Sequence, residues 1–401
     1  MLKVFIKYIA TIFALAFLGY TLIVLAYLIP QDNIEKNLHD GFDHMAEMGI
    51  TPQIVQGYKS TQLDYYTDYI KLAITSYDGD ENVFVKAAKN FRIGNTYGQT
   101  EKVEYGWYWH GYIIFLKPIF FFMTYWDFKV VNIMLSIGSV IVTVYLLMKH
   151  GFKEFVPPYF LALIIINPIV VALSFQFSPC YYVMHLVLCY LIIYGNKRKV
   201  EIPLVFFIGG ILVTYFDLLT YPLVVYGVPI AFVAHMMMTE HEKISDIMKK
   251  ILVCGVTFIL GYGLMFVSKF IIGWIITDGD IVSVAVEHIL LRMSGNGLEN
   301  DIRRIDAIYR NVQVFAHLPY CTLFAIVLII AVVRCLIGIR KQGVKGLLYL
   351  LSCAFIFILP FVWYFVLANH SHIHYFFTSR ALAVSAAALG MLATSEVHQD
   401  S

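Results

Sequence analysis

The run Ile113-Ile114-Phe115-Leu116-Lys117-Pro118-Ile119-Phe120-Phe121-Phe122-Met123 decides the topology of this chain. It is apolar, but it is short and interrupted by Lys117-Pro118, whereas a crossing helix needs about 20 predominantly apolar residues. It therefore reads as an interfacial helix, with Trp107, Tyr108 and Trp109 at headgroup level just before it. Taken together with Val130 to Met148, which crosses and ends at Lys149, His150 and Lys153, it counts as one passage.

Upstream, Met1 to Ile29 is an apolar helix with Lys3 and Lys7 at its start; Tyr27-Leu28-Ile29-Pro30 lacks the small residues of a cleavage site. The expected N-terminus is cytoplasmic. Between this helix and Trp109 lies a polar stretch with twelve Asp/Glu against seven Lys/Arg, an acid excess suited to the outer side. Downstream, apolar spans fall near 155–175, 180–194, 201–218, 221–238, 250–276, 312–333, 346–367 and 376–393. With alternate loops assigned to the cytoplasm, every short basic loop (Lys197 to Lys199, Lys243 to Lys250, Arg334 to Lys345) lands on one side. The expectation is an all-α polytopic protein of about ten transmembrane helices with both termini inside. It forms a single domain over 1–401: a first helix (1–30), a large outer loop with two interfacial helices (31–126) and a bundle (127–401).

Composition agrees with that class. The chain is 60% hydrophobic and 14% charged, far from a soluble domain of 401 residues. A net charge of +2 calls for no nucleic-acid partner. The six cysteines show no CxxC spacing and read as apolar packing residues.

The other interfacial helix is expected in Thr61 to Tyr77, where Leu63, Tyr66, Ile70, Ala73, Ile74 and Tyr77 recur at helical spacing and suit a helix lying on the membrane. It carries Asp64 and Asp68 one turn apart, on one face. They are either its solvated side or a catalytic base. Asp78-Gly79-Asp80 and Asp278-Gly279-Asp280 have the spacing of divalent-metal ligands, but tight turns use the same residues and a metal is not favoured.

Polar residues held near membrane depth usually face a cavity or a pathway. The outer loop 277–311 is unexpectedly basic, with His288, Arg292, Arg303, Arg304 and Arg310. Ala368 to Arg380 contains His370, His372 and His374 and leads into Arg380. No acid or cysteine stands nearby to complete a zinc shell, so binding an anionic headgroup suits the histidines better, with Arg380 as a planar fork for phosphate. For Arg380 the alternatives are snorkelling to the interface or pairing with Asp217. Asp217 either caps the following helix or lines a cavity, and Lys269 either snorkels outward or meets a phosphate.

In layout the chain resembles the GT-C membrane glycosyltransferases, such as protein mannosyltransferases and the lipid A aminoarabinose transferases. The elements that carry this are Leu63-Asp64-Tyr65-Tyr66-Thr67-Asp68, then Tyr108-Trp109-His110-Gly111-Tyr112 with Leu116-Lys117-Pro118, then the 130–148 span and its multi-crossing continuation. The sequence departs from those relatives in having no Asp-Glu pair, no His-Pro-Pro in the second segment and no soluble domain after the last span. The resemblance implies inverting transfer of a sugar from a polyprenyl-phosphate donor to a glycan, lipid or protein acceptor, at the outer face of a bacterial cell membrane. Asp64 or Asp68 would be the base, and Arg380, His370, His372, His374, Arg292, Lys269, His110 and Asp217 would bind substrate. The rival readings are a flippase or polymerase of lipid-linked oligosaccharides and a non-catalytic scaffold; charges gathered at the outer mouth favour transfer. No inverted repeats with broken helices point to an ion-coupled transporter.

Overall fold

The computed structural model describes residues 2–93, 101–199, 201–277, 286–287, 290–294, 301–342 and 344–394. Asp278-Gly279-Asp280 and His288 lie outside them. The chain is 79% helical, and its strands among the described residues are one two-residue ladder, Arg92–Ile93 against Lys102–Val103. In chain order the helices are α1 (Leu2–Ala26), α2 (Asp32–Met48), α3 (Tyr65–Thr75), α4 (Val83–Lys89), α5 (Ile113–Phe122) and α6 (Tyr125–Lys149). They continue with α7 (Val156–Ile166), α8 (Pro168–Leu173), α9 (Ser178–Tyr194), α10 (Ile202–Phe216), α11 (Leu223–Thr239) and α12 (Ile244–Thr277). The last are α13 (Arg304–Gln313), α14 (Leu318–Gln342), α15 (Val344–Val366), α16 (Ala368–Ile373), α17 (Tyr375–Thr378) and α18 (Ala383–Thr394).

Among the described residues, seven helical stretches are long and apolar enough to cross a membrane: Ile6–Ala26, Tyr125–Lys149, Phe175–Tyr194, Ile244–Thr277, Leu318–Lys341, Tyr349–Val366 and Tyr375–Thr394. The chain is an integral membrane protein. Three expected spans have other forms. Helices α10 and α11 have 15 and 17 residues, so each rises only about 22–26 Å. The expected 155–175 span is two helices, because Asn167 adopts a left-handed φ of 59° and Pro168 follows it. One buried cluster joins Ile12 and Ile23 of α1, Leu38 of α2, Trp109, and Val384 and Leu392 of α18.

The 31–126 segment is more structured than expected. Besides α3 and α5 it holds α2, an amphipathic helix whose Ile34, Leu38 and Met45 are buried, and the short α4. Two expectations here are corrected. The apolar row of α3 packs inside protein rather than on lipid, with only Tyr66 of that row exposed, because α3 is enclosed by α2, α5 and the 175–177 turn. Tyr108 and Trp109 are buried as well: the Trp109 indole N–H donates to the Met265 carbonyl at 2.7 Å, deep on α12.

Small residues bring α10 and α12 together. A Cβ on Gly261 would overlap the Phe207 carbonyl, and one on Gly210 would overlap that of Phe258. Gly261→Ala should therefore lower the thermal midpoint in detergent, by the equivalent of about 1–3 kcal/mol of overpacking. Gly263→Ala, on the same helix with nothing within 4 Å of its Cβ position, should leave it unchanged. Equal midpoints for the two variants would refute the close contact.

Candidate functional site

The site is built where one helical span is broken into short pieces. Residues 166–177 run from the end of α7 through Asn167, α8, Ser174 and a 3-10 turn, and this irregular stretch offers backbone groups that helices would have used internally. Asn132 of α6 holds it in place, its amide donating to the carbonyls of Ala172 at 2.9 Å and Val171 at 3.3 Å.

Both aspartates of α3 dock against this stretch. Asp64 is the N-cap of α3: its Oδ1 accepts from Thr67 N–H at 3.0 Å, and its own N–H donates to Ser174 Oγ at 3.2 Å. Asp68 lies one turn on, and its Oδ1 accepts from Gln176 N–H at 2.7 Å. They are 2% and 0% exposed, so α3 does not present them to solvent. In each, Oδ2 is buried without a hydrogen-bond partner.

The cations come from three directions. Lys71 continues the aspartate face of α3, fully buried, with Nζ 4.6 Å above the Tyr112 ring and no hydrogen-bond partner. Lys129 of α6 donates to the Leu173 carbonyl and lies 5.0 Å from the Tyr125 ring centroid. Arg380, between α17 and α18, donates from Nε to the Ile166 carbonyl at 3.1 Å and from Nη1 to Phe376 at 2.6 Å. Its guanidinium lies 4.2 Å from the Phe177 ring centroid, and Nη2 has no partner. Arg380 is 1% exposed, so it does not snorkel. Asp217, the C-cap of α10, neither caps α11 nor pairs with Arg380 by hydrogen bond; its carboxylate accepts from Thr220 N–H at 2.7 Å and from the Thr220 hydroxyl.

These charges share one electrostatic neighbourhood. Burial raises the Asp64 pKa, against its Thr67 hydrogen bonds and the nearby Lys71 and Arg380. Burial also raises Asp68, with Lys129 opposing and Asp64 adding to the rise. Lys71 falls to about 8 through burial, held from falling further by Asp217, Asp68 and Asp64. Five buried atoms have unused hydrogen-bonding capacity: Oδ2 of Asp64 and Asp68, Oε1 of Gln176 and Nη2 of Arg380, whose residues all bond to or belong to the 166–177 stretch, and Nζ of Lys71 beside the two aspartates. A buried polar atom left unpaired costs about 1–3 kcal/mol, so these five call for polar partners, which ordered water, an ion or a ligand would equally supply.

The remaining expected residues are dispersed. His110, at a positive φ of 56°, uses both ring nitrogens, Nε2 on the Tyr105 carbonyl at 2.8 Å and Nδ1 with the Tyr112 hydroxyl at 2.7 Å. It anchors the loop and has no nitrogen left for substrate. Lys269 neither snorkels nor faces a free pocket: it donates to Ala88 at 2.7 Å and Ala87 at 3.3 Å, closing the C-terminal end of α4. His370 and His372 stand on α16 and His374 is its C-cap, so the three do not face one way. The His370 and His374 rings are tilted with centroids 4.9 Å apart, and His372 lies within electrostatic reach of Arg310 and Asp306. His370 donates from Nε2 to the Leu219 carbonyl at 2.7 Å, which leaves Nδ1 as acceptor for Arg292 at 2.6 Å. Burial holds His370 well below its ordinary pKa, with His374 and Arg292 adding to the fall. It positions Arg292 as a neutral ring and is not itself a cation. Asp78 has its carboxylate 3.9 Å from Lys86 Nζ, and among the described residues no three His, Cys, Asp or Glu side chains are grouped to hold a metal ion.

Lys71, Lys129, Ser174 and Gln176 were not legible as site residues from pattern alone. The available signal was Asn167-Pro168, Ser174, Gln176 and Ser178-Pro179 interrupting an otherwise apolar run. Comparison of the chain with protein-family models, with curated proteins and with solved structures finds no match.

The raised pKa of Asp68 carries a stability consequence. A carboxyl whose folded pKa lies above its unfolded value stabilises the fold most below the unfolded value, and that contribution is lost as pH rises through the folded pKa. Asp68→Asn keeps an oxygen for Gln176 N–H and removes the buried charge. Its thermal midpoint at pH 8 should equal or exceed that of the wild type, with the difference shrinking on acidification. A clearly lower midpoint at pH 8 would show that the ionised carboxylate stabilises the fold.

Proposed function

We propose that the protein is a GT-C-type glycosyltransferase that moves a sugar from a polyprenyl-phosphate carrier to an acceptor hydroxyl with inversion. The observation that carries this reading is the arrangement around residues 166–177. Two buried carboxylates each have one oxygen fixed by a backbone N–H and the other unused, and they share a region with a buried ammonium and a guanidinium that also have unused donors.

The arrangement suits a single displacement. The acceptor hydroxyl gives its proton to Oδ2 of Asp64, with Asp68 as the second candidate, while its oxygen forms a bond to the sugar C1. The C1–O bond to the carrier phosphate breaks, its electron pair goes to the phosphate oxygen, and Nη2 of Arg380 stabilises the charge that develops. Lys71 holds positive charge beside the carboxylates, which favours their ionised form. In this reading the seven long helices, the 156–173 pair, α10 and α11 make ten crossings of a bacterial cell membrane. Both termini are cytoplasmic and the 31–126 segment is outside. A flippase is the second reading; it is less well supported because α3 supplies acid chemistry from a segment beyond the crossings.

Asp64→Asn should lower release of lipid phosphate from radiolabelled polyprenyl-phosphate sugars by about 10²–10⁴-fold while donor binding persists. Arg380→Lys should lower kcat/KM by about 10–100-fold, the loss of one charge-assisted hydrogen bond. Wild-type rates in Asp64→Asn, Asp68→Asn and the double variant would remove the base from this loop. The rate should climb with pH as the carboxylate ionises, at a pH above the ordinary carboxylate range, and decline above about 8 as Lys71 loses its proton. A profile flat from pH 5 to 9 would contradict these assignments.

Topology has its own test. A cysteine replacing Lys36 should react with an impermeant maleimide on intact cells, and one replacing Lys197 should react only after permeabilisation. The reverse pattern would invert the orientation.

A further inference from the structure

A face of α3 away from Asp68 opens on a cavity. Helix α3 turns Asp68 toward the 166–177 stretch, while Tyr69, Ala73 and Ser76, at helical spacing, lie on another face. Between that second face and α2 lies a groove of about 310 Å³, lined by Glu35, Phe42, Tyr69, Ser76, Tyr77 and Asp78 among others. Its walls are fixed. Phe42 and Tyr69 meet edge to face with centroids 4.8 Å apart, and the Tyr77 hydroxyl donates to Glu81 at 2.7 Å. At its rim stand the carboxylates of Glu35 and Asp78, both on exposed residues, the latter 3.9 Å from Lys86 Nζ.

The chemistry of this lining is selective. Carboxylates and aromatic rings together disfavour an anion, and an acyl chain would leave Glu35 against hydrocarbon and cover the Asp78–Lys86 pair. A bare metal ion needs a shell of oxygens, whereas rings occupy much of this wall. A pyranose satisfies both components: its C–H face packs on the aromatic rings while its hydroxyls donate to carboxylates, which only accept.

We propose that the α2–α3 groove binds an uncharged pyranose unit of a glycan, as a holding site distinct from the place of transfer. Naming that glycan as the acceptor rests on the transferase reading; the binding itself does not. In that role the groove tethers the acceptor chain on one side of α3 while its terminal hydroxyl is used elsewhere, so the site discriminates long acceptors from short ones.

The test uses the purified full chain in lipid nanodiscs and a panel of neutral hexose trisaccharides, read by saturation-transfer NMR and titration. At least one trisaccharide should bind, with transfer concentrated on ring C–H protons. Tyr69→Ala and the double variant Glu35→Gln/Asp78→Asn should each weaken it at least tenfold, with thermal midpoints reported alongside to establish folding. Phe42→Leu, which keeps bulk and removes the ring, serves if Tyr69→Ala does not fold. Asp64→Asn should bind the trisaccharide as the wild type does. Absence of binding across the panel, binding unchanged in the groove variants, or displacement by a uronate-bearing trisaccharide or a lysine-rich peptide at lower concentration would each overturn the proposal. Trisaccharide binding without any release of lipid phosphate would leave the groove standing and remove the transferase reading.

Discussion

The architecture depends on backbone left without helical partners at residues 166–177. Inside a membrane protein such backbone is tolerated only where protein or a polar cavity satisfies it. Here the satisfying groups are the Asn132 amide and three charged side chains. Lys129 takes the Leu173 carbonyl, Arg380 takes that of Ile166, and Asp68 takes the N–H of Gln176. The break therefore gathers charges from α3, α6 and the start of α18, which are distant in sequence. A continuous helix over 156–177 would leave those cations and that carboxylate buried with nothing to bind.

The same gathering sets an electrostatic compromise. Burial disfavours the ionised forms of Asp64 and Asp68 and the protonated form of Lys71, so acids and bases are drawn toward each other in proton affinity. Opposite charges standing close by oppose each of these shifts and keep them smaller than burial alone would make them.

Much of the fold was legible in the sequence because its signals are local. The length and apolarity of 6–26, 125–149 or 318–341 need no partner to be read, and Lys117-Pro118 correctly made 113–122 a short helix. The site was legible only in part. Asp64, Asp68 and Arg380 stand out as charges in unusual places, but Asp68 and Arg380 bind backbone, and Asp64 meets Ser174, in a stretch whose apolarity reads as a continuous span and whose break is marked only by Asn167-Pro168. His110 and Lys269 looked like ligand groups for the same reason in reverse. Their partners, the carbonyls of Tyr105 and Ala88, carry no sequence signature at all.

The anchoring of Trp109 and Lys269 also bears on how the molecule is made. The indole of Trp109 reaches Met265, 156 residues further along the chain, and Lys269 closes α4 from 181 residues beyond Ala88. A ribosome adding about 5–20 residues per second needs roughly 8–30 s to synthesise the Trp109 partner. Through that interval residues 83–112 are already translated, but their α12 contacts do not yet exist. The buried aromatic motif and the carbonyl end of α4 are then exposed to solvent, lipid and any chaperone present. Completion of the 31–126 segment is thus timed by the arrival of α12, and a chain halted before Met265 would display an aromatic surface that the finished protein conceals.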